Sequence, residues 1–443
     1  MSDSALNPHP DLDPWGVRLW QLAGLFFRLG CTGFGGPQAH IAMQNEAVVQ
    51  RRGWMSQEEF LAGMAICEML PGPASTQLGI FIGYWRAGIL GALVAGLAFI
   101  FPAYLIELVL SWAYFRYQAL PQLSSLFLGI APVVIALIVA FCWKLGKKAI
   151  KSGIQMAIAV AVFALMLGFG INVVFLFVGS AIVGLIVCGP RSRWGGPPAV
   201  KAKEATSPSS NPDQEPSSPG AKSSQQLLLI GIPSLLRLTT SWTAGLASVS
   251  PEVLAASSFW GGERIEAYFW PLALFFLKVG SAVYGGGLVI IPFISGEVVD
   301  QLGWMTQTEF LDGVAIGQFT PGPVVLTAAF VGYKVAGFWG SLVASVAIFL
   351  PSFAFIMVAT PLMLKVYKNP WIRAALQGVT PAALGAIAAA AISLGRGAFW
   401  QDTLWLSGLT VVIALLALLG LLRFKVPTWA LVPMGAAIAL VLA

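Results

Sequence analysis

The stretch AGILGALVAGLAFIFPAYLIELVL, from Ala87 to Leu110, carries one charged side chain in 24 residues. A helix needs about 20 apolar residues to cross a bilayer. A second run, GINVVFLFVGSAIVGLIVCG from Gly170 to Gly189, carries no charge at all. In lipid every backbone N–H and C=O must find its partner within the protein, which leaves helices and closed barrels. Barrel strands would alternate apolar and polar residues, and these runs do not. Charged residues make up 10% of the 443, against about 25% in soluble domains. The chain therefore reads as an all-α polytopic membrane protein. Its net charge of +6 then bears on topology and not on nucleic acid. The first 14 residues hold Asp3, Asp11 and Asp13 and no Lys or Arg. They lack the basic and apolar regions of a cleaved signal. Cys31, Cys67, Cys142 and Cys188 form no CxxC pair, and only His9 and His40 could join them. No metal or cofactor site is expected.

The chain is also duplicated. GWMSQEEFLAGMAI at Gly53 returns as GWMTQTEFLDGVAI at Gly303, an offset of 250 residues. The same offset pairs Gly30 with Gly280, Gly35-Gly36 with Gly285-Gly286, and Pro71-Gly72-Pro73 with Pro321-Gly322-Pro323. An offset of 249 then pairs Pro102 with Pro351 and Pro132 with Pro381. Two repeats follow, 1–189 and 268–443. Residues 190–226 are rich in Pro, Ser and Lys and read as a disordered linker. Residues 227–267 read as an amphipathic interfacial segment, with a further span left open.

Five spans are expected per half, near 15–31, 87–115, 120–143, 152–168 and 170–189, with counterparts near 268–282, 336–364, 374–395, 403–422 and 426–443. About ten spans result, plus two broken hairpins of short helices around each Pro-Gly-Pro. Arg51 and Arg52 stand where the second half has Asp300, Gln301 and Leu302, and Lys144, Lys147, Lys148 and Lys151 where it has only Arg396 and, further on, Asp402. Conversely Arg116 is nearly alone, while Lys365, Lys368 and Arg373 crowd the matching loop. The bias reverses, so corresponding loops should face opposite sides. An odd span count has the same effect. Inverted repeats of this kind are typical of secondary transporters. An acidic N-terminus outside would place Arg51, the Lys144–Lys151 cluster and the linker in the cytoplasm.

Ser56-x-x-Glu59 and Thr306-x-x-Glu309 are capping boxes, each starting a short helix. Pro71 and Pro321 end those helices, because proline lacks an amide and pushes the preceding residue out of helical geometry. Gly72 and Gly322 can turn, and Pro73 and Pro323 suit the first position of a new helix. The new helices open with free amides and partial positive charge, near Ser75 and Thr76 in one copy and before Thr327 in the other. Broken helices at matching places in inverted halves point to a transport site; proline kinks with packing roles alone are the alternative. The glycine-rich GCTGFGGPQAH, with Thr32, Gly33, Gly35, Gly36 and His40, is answered by GSAVYGGGLVI with Gly285 and Gly286. No GK[ST] follows, so it is not a nucleotide loop. It is either a second unwound segment or close helix packing. Arg86 and Lys334 place a cation near each broken helix, on the substrate or snorkelling to the interface. Glu68 and Glu107, replaced by Gln318 and Ile356 in the second half, are candidates for a coupling proton. Helix N-termini, hydroxyls and cations together favour an anionic substrate.

The duplicated GFGGP-x-AH, GWM[ST]-x-x-EF and PGP motifs resemble those of the chromate ion transporter family in its long two-domain bacterial form. The first half keeps GFGGPQAHI and EMLPGPASTQL, and the second diverges to YGGGLVIIP and QFTPGPVVLTA. The resemblance implies export of chromate across the bacterial inner membrane and chromate resistance, driven by the proton-motive force or by anion exchange. Chromate is a tetrahedral oxyanion close to sulfate, so sulfate or broad oxyanion transport stays open. A homodimer is among the assemblies it allows. An integral-membrane enzyme is the reading from another class; the sequence has no HExxH and no evident nucleophile–base pair.

Overall fold

The computed structural model describes residues 13–117, 121–189, 259–282, 287–367, 370–400, 403–424 and 426–442. The linker at 190–226, and most of the expected interfacial segment at 227–267, lie outside these residues. Among the described residues all regular structure is helical. The first half contains α1 (Trp15–Thr32), α2 (Gly36–Asn45, continued by a π-helical turn Glu46–Arg51), α3 (Gln57–Met69), α4 (Ala74–Tyr117), α5 (Pro121–Ala149), α6 (Gly153–Phe169) and α7 (Val173–Cys188). The second repeats the order with α8 (Gly262–Ala282), α9 (Ile290–Val298), α10 (Gln307–Phe319), α11 (Thr327–Tyr367), α12 (Pro370–Phe399), α13 (Leu404–Leu419) and α14 (Thr428–Leu442). Both capping boxes form, with Ser56 and Thr306 each bonded to the Glu three residues on.

The long helices α4 and α11 each double back. Ala87 and Gly88 leave helical geometry, Gly88 at φ 64°, and Ala336 and Gly337 do the same, Gly337 at φ 58°. The reversal presses Gly83 onto the backbone of Gly91, and Gly332 onto that of Gly340, with no room for a Cβ at any of the four. Residues 74–86 are thus the return arm of a hairpin begun by α3, and only 89–117 run on as a through-going helix.

The base of each hairpin is tied. The Arg86 guanidinium lies 3.9 Å from the Trp54 ring centre, bonds Gln21 at 2.6 Å and meets Asp13 at 3.4 Å. Arg18 donates to the Arg86 carbonyl at 3.1 Å, a cation on the exposed end of the helix dipole. In the second hairpin Lys334 pairs with the capping-box residue Glu309 at 2.7 Å, and Arg264 donates to the Lys334 carbonyl.

These contacts also settle what α1 does. Its first turn lies beside Arg86 and Trp54, while its far end packs Gly30 on Phe99 and Pro102, midway along the through-going part of α4. The chain then turns through Gly35 (φ 103°) and Gly36 (φ 78°) and returns as α2, reaching Trp54, whose N–H bonds the Val48 carbonyl. The ten apolar helices expected from the sequence are all present; two of them, α1 and α8, stand in hairpins instead of running from face to face. That corrects the odd count of five spans per half, and a second expectation is corrected with it. Asp13 and Arg51 lie on the same face, not on opposite ones, because α1 and α2 enter and leave together.

The two halves are related by inversion. Along the through-going parts of α4 and α11, Gly96 meets Phe353 while Tyr104 lies beside Ser341, so equivalent helices run antiparallel. The last helices are exchanged: Gly435 of α14 packs on Gly129 of α5, and Gly184 of α7 on Gly378 of α12. Residues 89–117, α5, α6 and α7 make four passes, which returns Gly189 to the face of Arg51, beside Trp371 at the start of α12. The other end of α12 bears Gly397 and Ser393 against Gln307, at the base of the second hairpin. The described chain therefore stops at 189 on one face and resumes at 259 on the other, where the Phe338 N–H bonds the Phe259 carbonyl.

Candidate functional site

The two Pro-Gly-Pro tips meet in the middle of the molecule. At the first, Leu70 turns extended (ψ 147°) ahead of Pro71, as a residue before proline must. Gly72 follows at φ 129°, in a space closed by the Ser352 hydroxyl and the Gln77 amide. The helix restarts at Ala74, and the Thr76 and Gln77 amides bond the Pro73 carbonyl at 2.9 and 3.0 Å. A helix start leaves its first amides without internal acceptors, here those of Ala74 and Ser75.

Polar side chains from α2 close over this start. His40 lies 2.8 Å from the Gly33 carbonyl through Nε2 and 3.4 Å from the Ser75 hydroxyl through Nδ1. With Nε2 protonated, Nδ1 accepts from Ser75, a tautomer assigned from its partners. Gln44, one turn after His40, donates to the Ser75 carbonyl at 3.0 Å, and Gln77 donates to the Pro71 carbonyl at 2.6 Å. All are buried. Gln44 Oε1, Thr76 Oγ1, Gln77 Oε1 and Ser352 Oγ have no hydrogen-bond partner. A buried polar atom left so costs about 1–3 kcal/mol, and four such atoms around one helix start suit a polar guest.

The second tip is more closed. Gly322 (φ 100°) donates its N–H to the Gly33 carbonyl at 2.8 Å, and a Cβ there would meet that of Ala103 at 2.5 Å. Its helix opens with a 3₁₀ turn, Val324–Leu326, on which the Thr327 hydroxyl folds back, bonding the Val324 carbonyl at 3.0 Å. The Thr320 hydroxyl donates to Glu107 at 3.1 Å.

The structure thus joins His40, Gly33, the first tip and Gly322. Gly35 and Gly36 shape the turn beside them. Thr32 does not join, since its hydroxyl caps the Arg28 carbonyl. Arg86 and Lys334 sit at the hairpin bases, twelve residues from Ala74 in the case of Arg86, or about 18 Å of helix. Glu68 is exposed on α3, whereas Glu107 is fully buried. Gly285 and Gly286 lie outside the described residues. Gln44, Gln77, Thr320 and Ser352 escaped the sequence reading. The first could have been found as the residue four after His40, and Ser352 as the polar counterpart of Ala103 at the 249 offset.

A cavity of about 320 Å³ opens apart from the tips, lined by Asn172, Glu297, Asp300 and Arg396. Glu297 takes hydrogen bonds from Lys278 at 2.6 Å and Asn172 at 3.1 Å, tying the α8–α9 hairpin to the first half.

Residues 20–185 and 270–441 each match a family model described as "Chromate transporter". The chain is 33% identical over 414 residues to a "Probable chromate transport protein" of Synechococcus elongatus, covering 93% of this chain and 92% of that one. It is 31% identical over 425 residues to a "Chromate transport protein" of Cupriavidus metallidurans, covering 95% and 92%. With the protein of that name from Pseudomonas aeruginosa it shares 28% over 380 residues, covering 85% and 81%. No solved structure is significantly similar.

Proposed function

The chain belongs to the chromate transporter family, and from that membership we propose that it exports chromate from the bacterial cytoplasm across the inner membrane and so confers resistance to it. It is a transporter and not an enzyme. The face that bears Arg51, Arg52 and the Lys144–Lys151 cluster is the cytoplasmic one by the positive-inside rule, and Asp13, at Arg86 and Trp54, lies on that face.

The observation that carries this reading is the reciprocal seating of the tips. Gly72 lies against Ser352 of α11, and Gly322 against Ala103 of α4, so each half holds the other's tip at mid-depth. The dianion is held at the first helix start, by the amides of Ala74 and Ser75 and the unpartnered hydroxyls of Thr76 and Ser352. Pro71, Gly72 and Pro73 set that start, and His40, Gly33, Gly35 and Gly36 close it from α2. Pro321, Gly322, Pro323 and Thr327 form the opposite wall. Arg86 and Lys334 brace the hairpins. Alternating access follows from rocking the tips against α4 and α11, which opens one face and then the other.

Sulfate is a tetrahedral dianion that these same donors would accept, and transport of sulfate or oxyanions in general is the second reading. Everted vesicles test both. Labelled chromate should accumulate above a vector control, and excess sulfate should compete only if the site takes both. No accumulation above the control overturns export of chromate.

A further inference from the structure

Two buried carboxylates lie between the second tip and the face of Gln307. Glu107 is 0% exposed and Asp312 4%. Each has one oxygen bonded: Glu107 Oε2 accepts from Thr320 at 3.1 Å, and Asp312 Oδ2 from the Tyr114 hydroxyl at 2.7 Å. Each has one oxygen buried with no partner, Glu107 Oε1 and Asp312 Oδ1. An ionised carboxylate half unpaired inside a membrane protein is costly, and taking up a proton removes the cost.

The groups are in line. Glu107, Ser111 and Tyr114 share one face of α4, at spacings of four and three, and Ser111 is buried between the other two. On α10, Asp312 lies one turn inward from Glu309, which with Lys334 forms a part-exposed ion pair at the hairpin base. The line thus runs from that base through Asp312 and Tyr114 to Glu107 at the tip. Arg264 of α8 lies beside Lys334, and Arg116, at the end of α4, is exposed. The segments of α5 and α14 that pack here, around Phe127–Ile130 and Val432–Ala437, carry no charged residue.

The duplication makes the arrangement one-sided. Positions matching Asp312, Thr320, Glu107, Tyr114 and Lys334 are Ala62, Leu70, Ile356, Met363 and Trp85; only Glu309 is kept, as Glu59. In an inverted repeat, a feature present in one copy faces one side of the membrane. We infer that Asp312 and Glu107 are proton-binding sites on a path that joins the second tip to the Gln307 face alone. A proton from water at that face passes to Asp312 and the Tyr114 hydroxyl bonded to it, and on to Glu107 beside Thr320, two turns (about 10 Å) further along α4, past Ser111, whose hydroxyl is held by the Glu107 carbonyl at 2.6 Å. This rests on the transport reading above and adds the coupling ion to it.

The test has two arms. Infrared difference spectra of the purified protein, between high and low pH, should show carboxyl C=O bands that vanish in Asp312→Asn and Glu107→Gln. This arm needs no transport and stands even if chromate is not the substrate. In proteoliposomes, Asp312→Asn should lower uptake driven by a pH gradient roughly tenfold or more, while chromate counterflow without a gradient stays within about twofold. Tyr114→Phe should slow the gradient-driven rate in the same sense, and Asp312→Glu should restore part of it. Spectra without these bands, gradient-driven uptake unchanged in Asp312→Asn, or equal loss of both modes in Asp312→Asn and Tyr114→Phe would overturn the inference. Wild-type protein that shows the bands but no chromate counterflow would instead overturn the choice of substrate.

Discussion

Gly72 and Ser352 are in contact across the two halves: a Cβ on the glycine would lie 2.5 Å from the serine hydroxyl oxygen. By the 249 offset the counterpart of Ser352 is Ala103, which holds Gly322 in the same way. One seat is polar and the other apolar, so the pseudo-twofold is broken where the tips meet. The hydroxyl of Ser352 has no hydrogen-bond partner, and a residue kept for stability would not spend a buried hydroxyl so.

Ser352→Ala and Thr76→Val should therefore separate stability from transport. Each removes a buried hydroxyl that no protein group satisfies, so thermal stability should hold or rise by about 1 kcal/mol. Chromate uptake should fall, because each takes a donor from the helix start. Melting temperature and vesicle uptake on the same preparations check this; a variant that loses stability in step with uptake would mark a packing role.

Gly322→Ala should be worse than its size suggests. The glycine holds φ 100°, a region costing of order 1–3 kcal/mol for other residues, and the new methyl would strike Ala103. Ala103→Gly in the same chain should relieve the clash and leave the backbone strain. Folded yield and uptake should recover in part; recovery to the wild-type level would mean the strain is negligible.

How far the sequence could be read follows from the reach of each feature. The capping boxes, the Pro-Gly-Pro tips and their positive-φ glycines are local, and all stand where the motifs put them. The return of α1 was not legible, since an apolar helix of 18 residues looks the same whether it crosses or turns at its end. The Gly35–Gly36 turn could be read as unwinding or packing, not as a reversal. The pairs that matter most to the site were out of reach, because they join residues 198 and 213 positions apart, Tyr114 with Asp312 and Glu107 with Thr320. Arg86 was visible as a cation at a helix end; Asp13 and Trp54, which hold it there, were not.

Arg86→Gln should act on folding before it acts on the anion. The guanidinium stacks on Trp54 and bonds Gln21 and Asp13. Cation–π contact contributes about 0.5–2 kcal/mol, and hydrogen bonds to a charged group about 1.5–3 kcal/mol. Fluorescence size-exclusion profiles should show less folded protein, while the KM for chromate of the remainder stays near wild type. A raised KM with normal folding would move Arg86 back to the substrate. Arg86→Lys should keep the charge but not the flat stack, and fall between the two.

The termini should lie on opposite sides of the membrane. Asp13 touches Arg86 at the base of the first hairpin, on the face of Arg51 and Gly189. From the base of the second hairpin, the through-going part of α11, then α12, α13 and α14 make four passes, which leaves Leu442 on the face of Gln307. By the positive-inside rule the basic loops, with Arg51, Arg52 and Lys144–Lys151, would make the first face the cytoplasmic one. A reporter active only in the cytoplasm should therefore work when fused before residue 13 and fail after residue 442, and a periplasmic reporter should do the reverse. Single cysteines at Gln50 and Gln301, in matching loops, should label from opposite sides in intact cells and everted vesicles. Labelling of both from one side would mean the halves are parallel, and the single-sided line of Glu309, Asp312 and Glu107 would then lose its meaning.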